Sequence, residues 1–230
     1  MKEKKHTDEH FESELQYLRE ELVKMSDLVK ENVKNSVKSL VDRDSSLAKK
    51  VIDLDHTINR MEVEVHELCI RILALRQPTA KDLRFITTGM KIVTDMERIG
   101  DLAVNIAERA MELNEEPQLK PYVDIPRMVD ASTRMLEQSI EAFIKEDSEL
   151  ARKVCKDDQL VDDLNIQIFR ELLSFMIEDP KTTSRGIRIS FISKYLERIA
   201  DHSTNIAEMV IYMIKGKDVR HMRSRLKDGV

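Results

Sequence analysis

The sequence predicts an all-α protein built as two pseudo-symmetric antiparallel three-helix bundles that arose by internal duplication. Aromatic residues make up only 4% of the 230 residues, there is no Trp, and charged residues reach 35%. This composition is typical of long packed helices, and strand signals are lacking. A twelve-residue helical segment also occurs twice, 100 positions apart. The composition and the repeat together predict six helices, three in each half.

The duplicated segment carries its polar residues on one helical face. Its copies span residues 97–108 and 197–208, and eight of the twelve positions are identical. At about 100° per residue the carboxylates and the Asn share one face, and the Ile residues face roughly the opposite way. The candidate metal ligands on this face are Glu97, Asp101 and Asn105 in the first copy and Glu197, Asp201 and Asn205 in the second.

Two carboxylates one helical turn apart repel each other by roughly 0.2–0.5 kcal/mol. Glu97 and Asp101 stand in this relation, with no lysine on the same stripe. A metal cation would offset the repulsion, as would an arginine from a neighbouring helix or a partner protein, and a solvated polar stripe is the further alternative. Because the carboxylates persist in both copies, we give a constrained site and a solvated stripe equal weight. We expect Arg98 and Arg198 to pair with acidic residues of the adjacent helix.

The first bundle is predicted over residues 11–114, after a charged, flexible N-terminus at residues 1–10. Apolar residues recur from Phe11 in steps of four and three, which predicts a first helix to about Val41. A turn with an N-cap at 42–46 then opens a second helix to about Arg76. The residues predicted to line the buried side of the second helix are Leu54, Met61, Val65, Leu68 and Ile72.

Prolines mark the remaining boundaries. Pro78 ends the second helix, and a capping box of Thr79 with Asp82 is expected to open the third. The three prolines in residues 115–126 predict a linker that cannot continue a helix through Pro126. Residues 127–216 repeat the three-helix pattern, ending at Gly216, and residues 217–230 form a basic tail.

A second set of oxygen ligands lies on the middle helix of each half. Hard oxygen ligands suit iron, manganese, magnesium or calcium better than structural zinc. The alternative is that early carboxylates simply favour the helix dipole. The candidate ligands are Asp158 and Asp162 in the second half, and Asp55 and Glu62, which flank Asn59, in the first.

Composition also excludes several classes of function. The net charge of −5 argues against a nucleic-acid binder, and no apolar run is long enough to cross a membrane. The two cysteines form no metal-spaced set, which predicts reduced thiols in a cytoplasmic protein. No nucleophile elbow or phosphate-binding loop is present, so we expect no enzyme. A carboxylate-bridged metal oxidase or hydrolase would need two Glu-x-x-His pairs, and the only such spacing is Glu3 with His6.

Three segments of the sequence resemble the PhoU family of phosphate-transport regulators. They are the duplicated Glu-Arg-Ile-Gly/Ala-Asp motif, the segment RQPTAKDLR at 76–84 and the segment KYLERI at 194–199, which leads into the second motif. The resemblance covers about residues 11–216. It implies a cytoplasmic accessory protein, commonly a homodimer, that mediates between the ATPase of a phosphate ABC transporter and a sensor histidine kinase. It also implies iron or zinc bound at the acidic motifs.

The sequence departs from the family pattern in two places. Asn59 stands where an aspartate is expected, and Ala200 replaces a glycine. Because Asn59 removes one negative charge, we expect the second half to hold a metal more tightly than the first. A helical scaffold that binds no metal and has a different partner is the competing interpretation.

Overall fold

The computed structural model describes residues 2–216, with side chains from Glu9 onward. Within this part the chain forms six α-helices, one short 3-10 turn and no strand. The predicted class, with three helices in each half, is confirmed. The predicted basic tail at 217–230 lies outside the described residues, whereas the backbone of residues 2–10, predicted as a flexible N-terminus, belongs to the first helix. The helices are α1 (Lys2–Val41), α2 (Ser45–Arg76), α3 (Ala80–Asn114), α4 (Asp124–Lys145), α5 (Ser148–Glu178) and α6 (Thr183–Lys215).

Equivalent helices of the two halves begin in the same way. Asp44 caps α2 and Asp147 caps α5, and each carboxylate accepts two backbone N–H bonds of 2.9 and 3.0 Å. The residues just before them, Arg43 and Glu146, adopt left-handed backbone angles with φ of 55° and 53°. This turn reverses the chain in both halves, so the repeat extends to local backbone geometry.

The third helix begins where predicted, with Thr79 as its N-cap residue, but its expected capping box and the predicted start of the fourth helix are wrong. The Thr79 hydroxyl donates to the Asp82 carboxylate over 2.9 Å and makes no cap to the backbone of α3, so the expected capping box does not form. The helix α4 begins at Asp124, so Pro126 lies inside its first turn. A proline is tolerated there because the first backbone N–H groups of a helix have no intrahelical partner.

The helices are arranged in two layers. The outer layer has the order α2, α3, α6, α5, since α3 contacts α6 while α2 and α5 contact only helices of their own halves. The inner layer is formed by α1 and α4, which contact each other and the helices of their own halves. Across the halves, the rings of Phe85 and Phe143 stack with centroids 4.5 Å apart. The buried side chains of both halves form one hydrophobic core.

The central helices of the outer layer, α3 and α6, run antiparallel. Arg84 Nε, early in α3, donates to the carbonyl of Met213, late in α6, over 3.0 Å. Midway along, Asp95 Oδ1 lies 2.7 Å from His202 Nδ1. This antiparallel register brings the middles of the two helices, and therefore the two motifs, side by side.

Most of the predicted core is buried. The α1 seam is fully buried from Leu15 onward, and Phe11 packs partly against it. Leu54 was assigned wrongly: it is only partly buried, and Ile58 occupies the core instead. Cys69 is buried and forms no disulfide, and burial raises the pKa of its thiol to about 12, which suits a packing residue. None of the described helices is long and apolar enough to span a membrane.

Candidate metal centre

Helices α1 and α4 cover the inner side of the outer layer, which leaves its other side open. The first glutamates of the two acidic motifs lie on this open side. Ile99 and Ile199 point inward and are fully buried. Glu97 and Glu197 retain side-chain exposures of 19% and 15%. The helical periodicity therefore places the first glutamate of each motif opposite the buried isoleucine, as the sequence predicts.

In the first half, Asp55 of α2 points toward α3. Its Oδ2 accepts a hydrogen bond from Asn59 Nδ2 over 2.9 Å. Its Oδ1 is buried and has no hydrogen-bond partner within the described part of the chain. Gly100 makes this approach possible, since a Cβ atom there would lie 3.3 Å from Asp55 Oδ1. Burial, and secondly the negative charge of Asp101, raise the pKa of Asp55 above its ordinary value, although the Asn59 bond opposes this.

Four carboxylates of the first half share one electrostatic field. Burial raises the pKa of Glu97, and the charges of Asp101, Glu62 and Asp55 raise it further, while Arg98 opposes the shift. Glu62 also accepts a hydrogen bond from the Thr94 hydroxyl over 3.3 Å. The predicted ligands of α2 and α3 are thus close enough to perturb one another, and this surface has an excess of negative charge.

The counter-charge in the first half comes from the motif itself. Arg98 Nε lies 3.5 Å from Glu97, and its Nη1 lies 3.4 Å from Asp101. The prediction that Arg98 pairs with the adjacent helix is therefore wrong. Although its Cα is off the carboxylate stripe, the long side chain reaches residues one and three positions away. The guanidinium is 59% exposed, so these pairs contribute little to stability.

The second half surrounds its motif differently. Lys194 Nζ lies 2.6 Å from Glu197, one turn along α6. Asp158 and Asp162 of α5 and Asp201 of α6 are partly buried. Near them the Ser193 hydroxyl donates to Asn165 Oδ1 over 2.5 Å. Asn105 of the first motif is partly buried and Asn205 of the second is exposed.

Two features were missed by the sequence analysis. Asp95 and His202 pair across the α3/α6 seam, with both side chains only 18% exposed. Glu208 is 3% exposed, whereas its counterpart Glu108 lies on the surface. The sequence contains one signal for the seam pair, because neither of its members is repeated in the other half. Tyr195 stands at the position equivalent to Asp95, and Leu102 at the position equivalent to His202.

The arrangement supplies charge but not a closed coordination shell. Among the described residues, no group of three or more His, Cys, Asp or Glu side chains is placed to hold a metal ion. The four carboxylates of the first half interact electrostatically. To coordinate one cation together, their exposed side chains would have to rotate toward it. These residues are Asp55, Glu62, Glu97 and Asp101.

A family model described as the PhoU domain matches residues 22–110 and again residues 125–210. The chain belongs to the PhoU family. The two matches fall on the two halves of the molecule, one on each member of the duplication, so the PhoU domain corresponds to one three-helix unit.

Relatives within the PhoU family match almost the whole chain. A phosphate-specific transport system accessory protein PhoU homolog of Pseudomonas aeruginosa is 42% identical over 98% of this chain and 94% of its own length. The Escherichia coli K12 accessory protein PhoU is 34% identical over 95% of this chain and 90% of its own.

Solved PhoU structures share the fold. The crystal structure of PhoU from P. aeruginosa superposes with a TM-score of 0.86, at 42% identity over 90% of this chain and all of the other. The phosphate transport system regulatory protein PhoU from Streptococcus pneumoniae superposes with a TM-score of 0.85, at 29% identity over 91% of this chain and 99% of its own.

Proposed function

We propose that this chain is a cytoplasmic regulator of phosphate uptake and of the phosphate-starvation response. In this role it binds metal ions on its outer layer and connects the ATPase of a phosphate ABC transporter with a sensor histidine kinase. The relatives named as accessory and regulatory proteins of phosphate transport support the regulatory part. That naming, and the absence of the enzyme motifs sought in the sequence, favour a role without catalysis.

The observation that carries the metal part is the environment of Asp55. Its buried Oδ1 lacks a hydrogen-bond partner within the described chain, and the missing side chain of Gly100 keeps the space beside it open. Burial, and secondly the neighbouring carboxylates, raise the pKa values of Asp55 and Glu97, so a cation would relieve the part of the shift that is repulsion. Asp55, Glu62, Glu97 and Asp101 would hold such an ion in the first half, and Asp158, Asp162, Glu197 and Asp201 in the second.

The oxygen-only ligand set favours a hard cation such as iron(III), manganese or magnesium over structural zinc. When bound, this ion would supply positive charge that neutralises the acidic face. The chain's own residues provide the competing charge, because Arg98 pairs with Glu97 and Asp101, and Lys194 pairs with Glu197.

Elemental analysis of protein purified without chelators or a metal-affinity tag tests the metal. We expect bound metal in the wild type and less in Glu97→Gln/Asp101→Asn. Asn59→Asp restores the second aspartate of α2, so it should bind metal several-fold more tightly because it adds one negative charge. A metal content near zero in the wild type and in Asn59→Asp would instead support the metal-free scaffold, which the intrahelical ion pairs of Arg98 favour.

Complementation tests the regulatory role. In an E. coli strain lacking its own PhoU, we expect this chain to lower alkaline phosphatase activity in phosphate-rich medium. Purification from phosphate-replete cells should recover the transporter ATPase or the sensor kinase, and light scattering should report a homodimer. Unchanged phosphatase activity together with recovery of neither partner would contradict the proposal.

A further inference from the structure

Helices α3 and α6 meet along the seam between the two halves, and polar contacts join them at three levels. At one end Arg84 Nε donates to a backbone carbonyl in the last turn of α6 over 3.0 Å. At the other end Arg188 Nε donates to the Glu112 carboxylate over 2.8 Å. Midway, Asp95 Oδ1 lies 2.7 Å from His202 Nδ1. Asp95 and His202, here called the seam pair, are the closest of these three contacts to the acidic motifs.

The seam pair is more enclosed than the ion pair at the end of the seam. The side chains of Asp95 and His202 are each 18% exposed, whereas Arg188 and Glu112 are 28% and 38% exposed. A hydrogen bond to a carboxylate is stronger where water is partly excluded. If the two groups are separated, each loses its partner without regaining full hydration. Alignments of α3 and α6 that separate the seam pair are therefore disfavoured.

The apolar residues of the two motifs discriminate less between alignments. Burial of apolar surface is non-directional. A slip of one helical turn, about 5.4 Å, would again bury isoleucine and alanine side chains on both helices. A polar residue in an otherwise apolar helix contact can fix the register that apolar packing leaves open. The fully buried residues that both copies of the motif share are Ile99 and Ile199, Ile106 and Ile206, and Ala107 and Ala207.

The seam pair also breaks the symmetry of the repeat. Tyr195 stands at the position equivalent to Asp95, and Leu102 at the position equivalent to His202. The pseudo-symmetric counterpart of the contact would therefore join Tyr195 to Leu102, which cannot form an ion pair. The polar contact is thus specific to one of the two equivalent crossing points, which gives it a single matching alignment.

The seam pair lies between the candidate ligands of the two halves. His202 directly follows the aspartate of the second motif, and Asp95 lies two residues before Glu97 in the first. The neighbour of Asp95, Thr94, donates its hydroxyl to Glu62 over 3.3 Å. A change of alignment at the seam pair would therefore move the two sets of ligands relative to each other.

We propose that the seam pair is a positioning device. The contact between Asp95 and His202 sets the alignment of α6 against α3 and so holds the two acidic motifs as one surface. Regulation of phosphate uptake requires this surface in its native arrangement. The regulatory statement rests on the proposed function, whereas the alignment rests on the geometry of the seam.

Pulsed EPR on the full chain measures the alignment. Nitroxide labels are attached at Glu108→Cys on α3 and Tyr212→Cys on α6, which are both exposed positions. At 1.5 Å per residue they lie about 35 Å apart along the helix axes, and a slip of one turn changes this separation by about 5 Å. Cys69 and Cys155 are changed to Ala. Labelled chain is diluted with unlabelled chain, so that only distances within one chain are measured.

The decisive variant is Asp95→Leu/His202→Leu, which replaces the seam pair by apolar groups. Such replacements often leave stability unchanged, so we expect a melting temperature within a few degrees of the wild type. The distance should nevertheless shift by about 5 Å in part of the population. The exchange Asp95→His/His202→Asp should restore the single wild-type distance. The matched control is Lys30→Leu/Glu137→Leu, which removes a 3.1 Å ion pair that also joins the two halves and should keep the wild-type distance.

Three results would overturn the positioning role. They are a single wild-type distance in the apolar variant, an exchange variant that does not restore that distance, and a control that shifts as much as the apolar variant. If the double variant does not fold, His202→Leu, which carries the residue of the equivalent first-half position, decides by the same distance.

Alkaline phosphatase activity in an E. coli strain lacking its own PhoU measures the regulatory consequence. We expect the apolar variant to repress the enzyme at least fivefold less than the wild type does, and the exchange variant to recover repression. A wild type that does not repress would contradict the proposed function and leave the distance test intact. An apolar variant that slips but represses fully would overturn the claim that regulation requires the alignment.

Discussion

The two acidic motifs share their charged residues but differ in what surrounds them. In the first half, Gly100 lets Asp55 approach α3, and Arg98 of the motif itself supplies the counter-charge. In the second half a fully buried Ala200 replaces the glycine, and Lys194 supplies the counter-charge from one turn away. The duplication thus kept the acidic pattern and changed the solvation and neutralisation of its charges. The two motifs are therefore chemically different sites on one face.

The largest expected effect is a difference in stability between substitutions at positions 102 and 202, which are equivalent in the repeat and lie at the α3/α6 seam. Leu102→Ala should lower the free energy of unfolding by about 3 kcal/mol, because it removes a buried side chain and leaves a cavity. His202→Ala, at the same position of the repeat, should lower it by about 1 kcal/mol, because it removes the contact with Asp95. Urea unfolding of both variants measures the difference, and equal losses would show that the halves use this position alike.

Exchanging Gly100 and Ala200 tests the backbone difference. Ala200→Gly should cost about 1 kcal/mol, since glycine is the weaker helix former. The reverse change, Gly100→Ala, should gain clearly less than that amount, because its Cβ would lie 3.2 Å from Ile58 Cγ2 and 3.3 Å from Asp55 Oδ1. Thermal unfolding of the two variants checks the asymmetry. Equal and opposite shifts would show that Gly100 provides no special approach for Asp55.

The charge on Asp55 should cost stability at neutral pH. The pKa of Asp55 is raised in the folded state. Its stabilising contribution to the free energy of unfolding is therefore fully present below the ordinary carboxyl pKa of about 4, and it is lost as pH rises through the pKa of the folded state. Asp55→Asn should therefore be more stable than the wild type at pH 7 by about 0.5 kcal/mol. The two should converge toward pH 4.

Urea unfolding in metal-free buffer between pH 4 and 7 measures this effect. The exposed Asp53 on the same helix provides the control, since Asp53→Asn should follow the wild type throughout. A variant less stable than the wild type at pH 7 would mean that the Asp55 carboxylate is favourably solvated rather than repelled.

The smallest expected effect concerns the counter-charges. Arg98→Gln and Lys194→Gln should each lower stability by no more than about 0.5 kcal/mol in low salt, because both side chains are more than half exposed. The losses should vanish near 1 M salt, where the screening length falls to about 3 Å. Losses that persist in high salt would indicate packing roles instead.

The helical pattern predicted most of the fold because it depends on local rules. The spacing of apolar residues in α1, the caps at Asp44 and Asp147, and the stop at Gly216 follow from side-chain periodicity and backbone preference. The errors at Thr79 and Pro126 arose where two local structures are both allowed. A threonine hydroxyl can donate to a carboxylate instead of accepting from the backbone, and proline is tolerated in a first helical turn.

The sequence by itself determined the helices, their duplication and which side chains of each motif face outward. Those properties depend on residues three or four positions apart in one helix. Only the tertiary structure decided that α3 and α6 run antiparallel with both motifs on one open face, that Asp55 meets Gly100, and that Asp95 pairs with His202. These contacts join residues of different helices, and their geometry is set by how the two halves pack around a common core.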